Sequence, residues 1–253
     1  MDEKITSILR NTRTVLQVLA EPIDKFDRFI NYKKGYPPLW IRQKVGSLND
    51  FESSGAEYIA YLKLLCDLKP GDNLLDIGCG CGLMCLQVNE NSNLPEYLGS
   101  DGRYVGIDIN ERLISWCRRH IKYPNCQFKL VGGDLHEYKF DVILCKSLFT
   151  HLLPSEVIDY LALIKERMKP GGSCLATFFL LDEIKPKGRY TFKYNHTTFF
   201  TEKWEDERAA VAYEEEWLKK ALDIADFKYE IHYGSWRGDK KGLSYQDIVI
   251  LRR

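Results

Sequence analysis

Between residues 70 and 181, short apolar runs alternate with segments of helical periodicity. "NLLDIG", "RYVGIDI", "CQFKLV", "KFDVILCK" and "CLATFFLL" read as strands, whereas "LMCLQVNE", "ERLISWCRRHI" and "SEVIDYLALIKERMK" read as helices. Asn110 can cap the second of these helices. Pro154 and Ser155 open the third, which stops at "KPGG". Alternation of this kind implies an α/β fold with a mostly parallel sheet covered by helices on both faces. Right-handed crossovers make that sheet doubly wound. Residues 1–69 form a helical extension, with one amphipathic helix over about 3–20, continuing toward Phe29, and another after Asn49. Residues 70–253 form the α/β domain, with a less regular insert at about 182–212. The tail carries a helix in "YEEEWLKKALDIA" and strands near "KYEIHY" and "YQDIVIL", which suit an antiparallel sheet edge.

The balance of charge excludes some functions. Lys and Arg total 36, as do Asp and Glu, so no global field attracts a polyanion and nucleic acid is not an expected partner. No apolar run reaches the roughly 18–20 residues of a membrane span. The N-terminus has charges spread through it and lacks the apolar core of a signal peptide. A cytoplasmic protein is expected, and its eight cysteines are then thiols.

"LLDIGCGCGLMC" (residues 74–85) admits two readings. A thiolate metal site needs about four ligands, usually in paired clusters. Cys79, Cys81 and Cys85 have no nearby fourth cysteine and no C-x-x-C pair, so no metal is expected. The glycine reading gives each residue a task. Gly78, Gly80 and Gly82 allow a sharp turn and close approach of a ligand to the backbone. Loop amides and a helix N-terminus can receive a negative group there. Ligands of open parallel sheets sit at the carboxyl ends of the strands. Asp76, Asp108 and Asp134 follow three consecutive strands at that end. An acid at Asp108 can accept hydrogen bonds from a ribose diol, and one at Asp134 can read an adenine.

"LLDIGCGCG", "YVGIDIN", "GGD", "FDVILCKSLFTHLLP" and "IKERMKPGG" together resemble the successive motifs of class I S-adenosylmethionine-dependent methyltransferases, over residues 70 to 181. The resemblance implies a seven-stranded, Rossmann-like sheet whose last strand is antiparallel. It implies that Gly78, Gly80 and Gly82 wrap the methionine part of S-adenosylmethionine, with Asp76 nearby. Asp108 would hold the ribose hydroxyls and Asp134 the adenine amino group, with Cys79, Ile109, Gly133 and Leu135 in the same site. "PPLWIRQKVGSLNDFESSG", "SLFTHLLP", "LATFFLLDE", "AVAYEEEWL" and "YGSW" are similar to small-molecule and sugar O-methyltransferases. That implies a hydroxyl acceptor on a sugar or natural product.

The donor carries its own reactive methyl, so the protein's task is orientation and electrostatics. An alcohol is a poor nucleophile at neutral pH, and a base helps. His151 follows the fourth strand at its carboxyl end and is the candidate base; its alternative is a cap for the next helix. Lys146 can line the cofactor or be a solvated loop lysine. Arg42 can meet the methionine carboxylate or be a surface arginine. The insert carries Tyr190, Phe192, Tyr194, Phe199, Phe200 and Trp204 around His196. Tyr194, His196, Phe200 and Trp204, with Trp236 beyond the sixth strand, are the expected substrate wall; the alternative is a packed lid and a buried indole. The competing functions are N- or C-methyl transfer to another small molecule or a lipid, and a scaffold that binds the cofactor without turnover. The N-terminal helix suits a lid or a homodimer contact.

Overall fold

The computed structural model describes residues 20–26, 28–30, 35–43, 45, 51–86, 93–133, 135, 138–182, 188–238 and 241–253. Its helices are α1 (Leu39–Arg42), α2 (Phe51–Leu65), α3 (Leu94–Leu98), α4 (Glu111–His120), α5 (Pro154–Arg167) and α6 (Glu215–Ile224). Five strands alternate with them: β1 (Asn73–Ile77), β2 (Arg103–Asp108), β3 (Cys126–Leu130), β4 (Phe140–Cys145) and β5 (Met168–Phe178). Short strands β6 (Leu180–Leu181), β7 (Tyr194–Asn195), β8 (Phe199–Thr201) and β9 (Val211–Glu214) follow, then β10 (Lys228–His232) and β11 (Asp247–Arg252).

The main sheet has seven strands in the order β10-β11-β5-β4-β1-β2-β3. β3 through β5 run parallel, while β11 is antiparallel to both β5 and β10. The expected doubly wound sheet with an antiparallel last strand is therefore present. Side chains alternate between faces, so the central strands β1, β2 and β4 are buried along most of their length. Leu74, Tyr104 and Leu144 point into one core with α2 and α4. Leu75, Val105 and Ile143 point into the other with α5 and α6. The order reverses between β1 and β4, so the crevice for a ligand opens at their carboxyl ends.

Three local expectations change. "LMCLQVNE" does not open a helix within the described residues. Leu83–Cys85 is a single 3-10 turn and Leu86 is already extended. All three residues of the turn are buried, so there is no polar face for a surface helix. The next helix is α3, whose Asn93 side chain accepts from the Glu96 N–H at 2.9 Å and which has a proline in its first turn. The fifth strand ends at Phe178 and the chain passes at Leu180 into a second sheet, β6-β9-β8-β7. The insert is thus a small four-stranded sheet, with its own core of Phe179, Phe192, Ala210, Ala212 and Trp236. Of the helix expected over about 3–20 and on toward Phe29, residues 3–19 lie outside the described residues, while 20–26 and 28–30 are helical.

The insert is anchored by one buried carboxylate. Asp247 accepts from Leu180 N–H (2.8 Å), Gly234 N–H (2.7 Å) and Trp236 Nε1–H (2.7 Å). Arg237, also buried, donates to Asp182 and to the Leu180 carbonyl, each at 2.5 Å. A buried donor without its acceptor costs about 1–3 kcal/mol. Asp247→Ala strands three such donors, so it is expected to destabilise the chain by at least about 3 kcal/mol in urea unfolding. A loss below about 1 kcal/mol would show that the anchor carries no weight.

Candidate functional site

β1 delivers Asp76 to the switch point, where it is buried among the strands beside it. The Tyr104 hydroxyl, from β2, donates to Asp76 Oδ2 at 2.6 Å. Burial pushes the Asp76 carboxyl up to about 7, against the pull of that hydrogen bond and of the Lys146 ammonium. The loop then turns through Gly78–Gly82. Gly80 has φ +55°, and a Cβ there would sit 2.6 Å from Val45 Cγ1. Gly82 has φ +71°, and its Cβ would sit 2.6 Å from Ile121 Cδ1. Only glycine meets both the backbone and the packing demand.

Asp108, at the end of β2, holds this loop in place. Its carboxylate accepts from the Gly80 N–H at 2.9 Å and the Asn110 N–H at 2.7 Å. Each oxygen keeps a further lone pair that could take a ribose diol, although Asp108 is not itself among the residues lining the cavity at the strand ends. Asn110 caps α4 as expected, accepting from Arg112 and Leu113. Ile109, next to Asp108, is 85% exposed and is not among the residues lining the cavity. Gly133 is exposed in the turn after β3, whereas Leu135 is buried in the core and its carbonyl accepts from Arg167. Asp134 lies outside the described residues.

The cavity at the strand ends measures about 920 Å³. That is near the upper end for small-molecule sites, which run from about 300 to about 1,000 Å³, and leaves room for a nucleoside-sized group plus an acceptor. Asp76 and the Gly78–Gly80 loop form its floor. Val45, Phe51 and Tyr58 close one side, and the insert, through Phe179, Arg189 and Tyr190, closes the other. Lys146 and His151 reach it from the segment after β4. This segment is held tightly. The Ser147 N–H donates to Thr177 Oγ1 at 2.7 Å, and Ser147 itself takes φ +54°, an uncommon conformation for a non-glycine residue. The Tyr213 hydroxyl reaches the carbonyls of Phe149 and Leu152, both at 2.6 Å. His151 Nδ1 lies 2.8 Å from the Arg208 carbonyl. A carbonyl only accepts, so Nδ1 carries a proton, and in the neutral ring Nε2 holds the lone pair.

A family model described as a methyltransferase domain matches residues 68–226. The chain belongs to this methyltransferase family. A phosphoethanolamine N-methyltransferase of Triticum aestivum is 28% identical over 171 residues, 65% of this chain and 32% of that protein. A cyclopropane-fatty-acyl-phospholipid synthase of Escherichia coli (strain K12) is 30% identical over 138 residues, 51% of this chain and 31% of that protein. The chain spans about a third of the length of these two curated relatives. Among solved structures, a SAM dependent methyltransferase from Aquifex aeolicus aligns with TM-score 0.52 at 16% identity, over 83% of this chain and 94% of that one. The seven-stranded order and the glycine loop at the switch point give the methyltransferase the class I, S-adenosylmethionine-dependent fold that its sequence resembles.

Several expected residues of the methyltransferase lie elsewhere. Arg42 is engaged by the Asp24 carboxylate and the Pro37 carbonyl and is not among the cavity's lining residues. Trp236 is 1% exposed, packed against Phe179 and Phe192, and tied to Asp247; it is a core residue. Tyr194, His196, Phe200 and Trp204 also lie outside the lining. His196 stacks between Phe199 and Trp204, Tyr194 packs against Trp204, which is 64% exposed, and Phe200 covers the insert core. Of the aromatics in residues 182–212, Tyr190 alone lines the cavity, from the irregular stretch before β7. Glu57, Tyr58, Arg189 and the run Ser244–Gln246 line it without having been singled out. They come from a helix and turns with no local signature.

Cys79, Cys81 and Cys85 are buried packing residues with protonated thiols. Burial pushes Cys81 up to about 12 and raises Cys79 and Cys85 well above the ordinary thiol value. Replacing Cys79, Cys81 and Cys85 together with Ala is expected to preserve S-adenosylhomocysteine binding in calorimetry, whereas Gly80→Val abolishes it. The reverse outcome would restore a cysteine site. The Asp76 carboxyl also gives stability a pH dependence. Its value is raised in the fold, so the folded chain retains a proton that the unfolded chain has lost between about pH 4 and about pH 7, and stability falls across that window. Asp76→Asn removes this contribution. Relative to the wild type it is expected to gain stability in urea unfolding between about pH 5 and about pH 7.5; an unchanged difference would place the carboxylate in an unshifted state.

Proposed function

We propose that this chain is an active S-adenosylmethionine-dependent methyltransferase whose acceptor is a hydroxyl of a sugar or natural-product small molecule. The observation that carries the reading is His151. Its tautomer is set by the Arg208 carbonyl, and its free Nε2 belongs to a side chain lining the same cavity as the glycine loop. The Gly78–Gly82 turn, Asp76 and Asp108 fit the donor by backbone approach and by acids placed for its amino-acid and ribose ends. When bound, S-adenosylmethionine supplies an electrophilic methyl on a sulfonium, open to in-line displacement.

The chain's own residues do the rest. His151 Nε2 accepts the hydroxyl proton as the oxygen becomes the nucleophile, and Nδ1–H stays on Arg208 while the ring gains charge. Arg208 is itself paired with Glu156 at 2.6 Å, which steadies the peptide that orients the imidazole. Phe179, Tyr190 and Tyr245 offer aromatic faces to a ring-shaped acceptor, and Arg189 and Gln246 offer donors to its oxygens. N-methyl transfer is the second reading, favoured by the phosphoethanolamine N-methyltransferase similarity. Among the described residues no helix is long and apolar enough to cross a membrane.

A methyl-transfer screen over sugars, phenols and other alcohols, set against amines and unsaturated lipids, tests this directly. Hydroxyl-dependent formation of S-adenosylhomocysteine is expected, and turnover confined to amines or lipids would replace the acceptor class. His151→Ala is expected to lower kcat by about 10²-fold or more with unchanged S-adenosylhomocysteine affinity. Full turnover in that variant would remove His151 as the base.

A further inference from the structure

Two thiols meet just beyond the glycine loop. Cys85 closes the 3-10 turn that follows Gly82, and Cys126 opens β3. Their Sγ atoms lie 3.8 Å apart although 41 positions separate them in the chain. Both backbones are held. The Cys85 N–H donates to the Gly82 carbonyl at 2.8 Å. The Cys126 N–H donates to the Tyr123 carbonyl at 3.1 Å, and Cys126 sits opposite Tyr104 of β2. Held in this way, the two sulfurs react with each other without a bimolecular encounter.

All eight cysteines lie among the described residues, and Cys126 is the one that is not buried. A second pair shows what that access adds. Cys145 of β4 and Cys174 of β5 are 4.0 Å apart, yet both are fully buried, out of reach of a dissolved oxidant. Oxidation of cysteine follows exposure and thiolate character. Burial and the adjoining Cys126 sulfur raise the Cys85 thiol well above its ordinary value. Cys126 therefore meets an oxidant first, and Cys85 is placed to resolve it.

We propose that Cys85 and Cys126 form a redox modification site, at which hydrogen peroxide converts the pair to an intramolecular disulfide and weakens donor binding in the adjoining cavity. The Cys126 sulfur attacks one peroxide oxygen; the O–O bond breaks, and a sulfenic acid and one water form. The Cys85 sulfur then attacks that of Cys126. The S–S bond forms, the S–O bond breaks, and hydroxide leaves with the Cys85 proton as a second water. The pair gives up two electrons, and the peroxide is reduced to two waters. A disulfide spans about 2.05 Å, so the bond draws the turn toward β3. Gly82 leaves no slack there, since even an added Cβ would sit 3.1 Å from the Phe128 ring of β3. The turn must tilt instead, and Leu83 and Met84, which it carries, line the cavity. The effect on the donor rests on the reading that this cavity takes S-adenosylmethionine.

The test is peroxide treatment of the reduced full chain, alkylation of the remaining thiols and peptide mass mapping, beside calorimetric titration with S-adenosylhomocysteine. A loss of about 2 Da is expected, with a Cys85–Cys126 cross-linked peptide and with Cys145 and Cys174 recovered as alkylated thiols. S-adenosylhomocysteine affinity is expected to fall at least about five-fold, the low end of coupling between sites, and to return with dithiothreitol. Cys85→Ala is expected to stop at a Cys126 sulfenic acid that dimedone traps, and Cys126→Ser to form no cross-link and keep its affinity under peroxide. No disulfide in the treated wild type, or one between another pair, overturns the site. A Cys85–Cys126 disulfide with unchanged affinity overturns the coupling. Failure of the reduced chain to bind S-adenosylhomocysteine is a different result: it removes the cofactor reading, and the peptide map still decides the site.

Discussion

The Asp108 carboxylate, accepting from the Gly80 and Asn110 amides, is the contact on which the site depends. It joins three elements that the chain delivers separately: the glycine loop after β1, the carboxyl end of β2 and the start of α4. It fixes the Gly80 amide, the middle of the loop, while the Gly78 and Cys79 amides donate to the Ile107 carbonyl at 2.8 and 3.0 Å; these contacts offset the large conformational entropy that glycines lose on ordering. The loop is further confined by side chains at van der Waals limits, Val45 against Gly80 and Ile121 against Gly82. Rigidity thus comes from neighbours and one carboxylate, since the sequence chosen for close approach has little stiffness of its own.

The far wall of the cavity depends on a second carboxylate. Asp247 begins β11, the antiparallel strand, and ties it to β6 and to the turn that carries Trp236. That turn leads to Ser244–Gln246, which lines the cavity. Ser147 Oγ and Gln246 Oε1 meet at 3.0 Å, so the post-β4 segment and the last turn are joined across the opening. The glycine-loop side of the cavity and its far wall are therefore built by different parts of the chain and joined by short polar contacts.

The sheet was legible because strands covered on both faces are mostly apolar, as "YVGIDI" and "FDVILC" are apart from one Asp each. The glycine loop, Asp76 and Asp108 were legible because their chemistry is tied to strand ends. The start of β5 was hidden, since "MKPGG" carries turn residues although it pairs with β4 across a register shift. The acceptor wall was read at the wrong residues. Aromatic composition marks the insert, yet whether Tyr190 or Tyr194 meets the cavity depends on a four-stranded sheet with no pattern of its own in the sequence. Trp236 was misplaced for a related reason: an indole that satisfies its N–H on a buried carboxylate belongs to the core, and Asp247 lies eleven residues away.

The most direct test of the account is a crystal structure of the chain with S-adenosylhomocysteine bound. The account predicts the amino-acid end over the Gly78–Gly82 turn between Asp76 and Lys146, the ribose on Asp108, and the sulfur facing the part of the cavity bounded by His151 and Tyr190. A nucleoside seated elsewhere, or a sulfur turned away from His151, would contradict it.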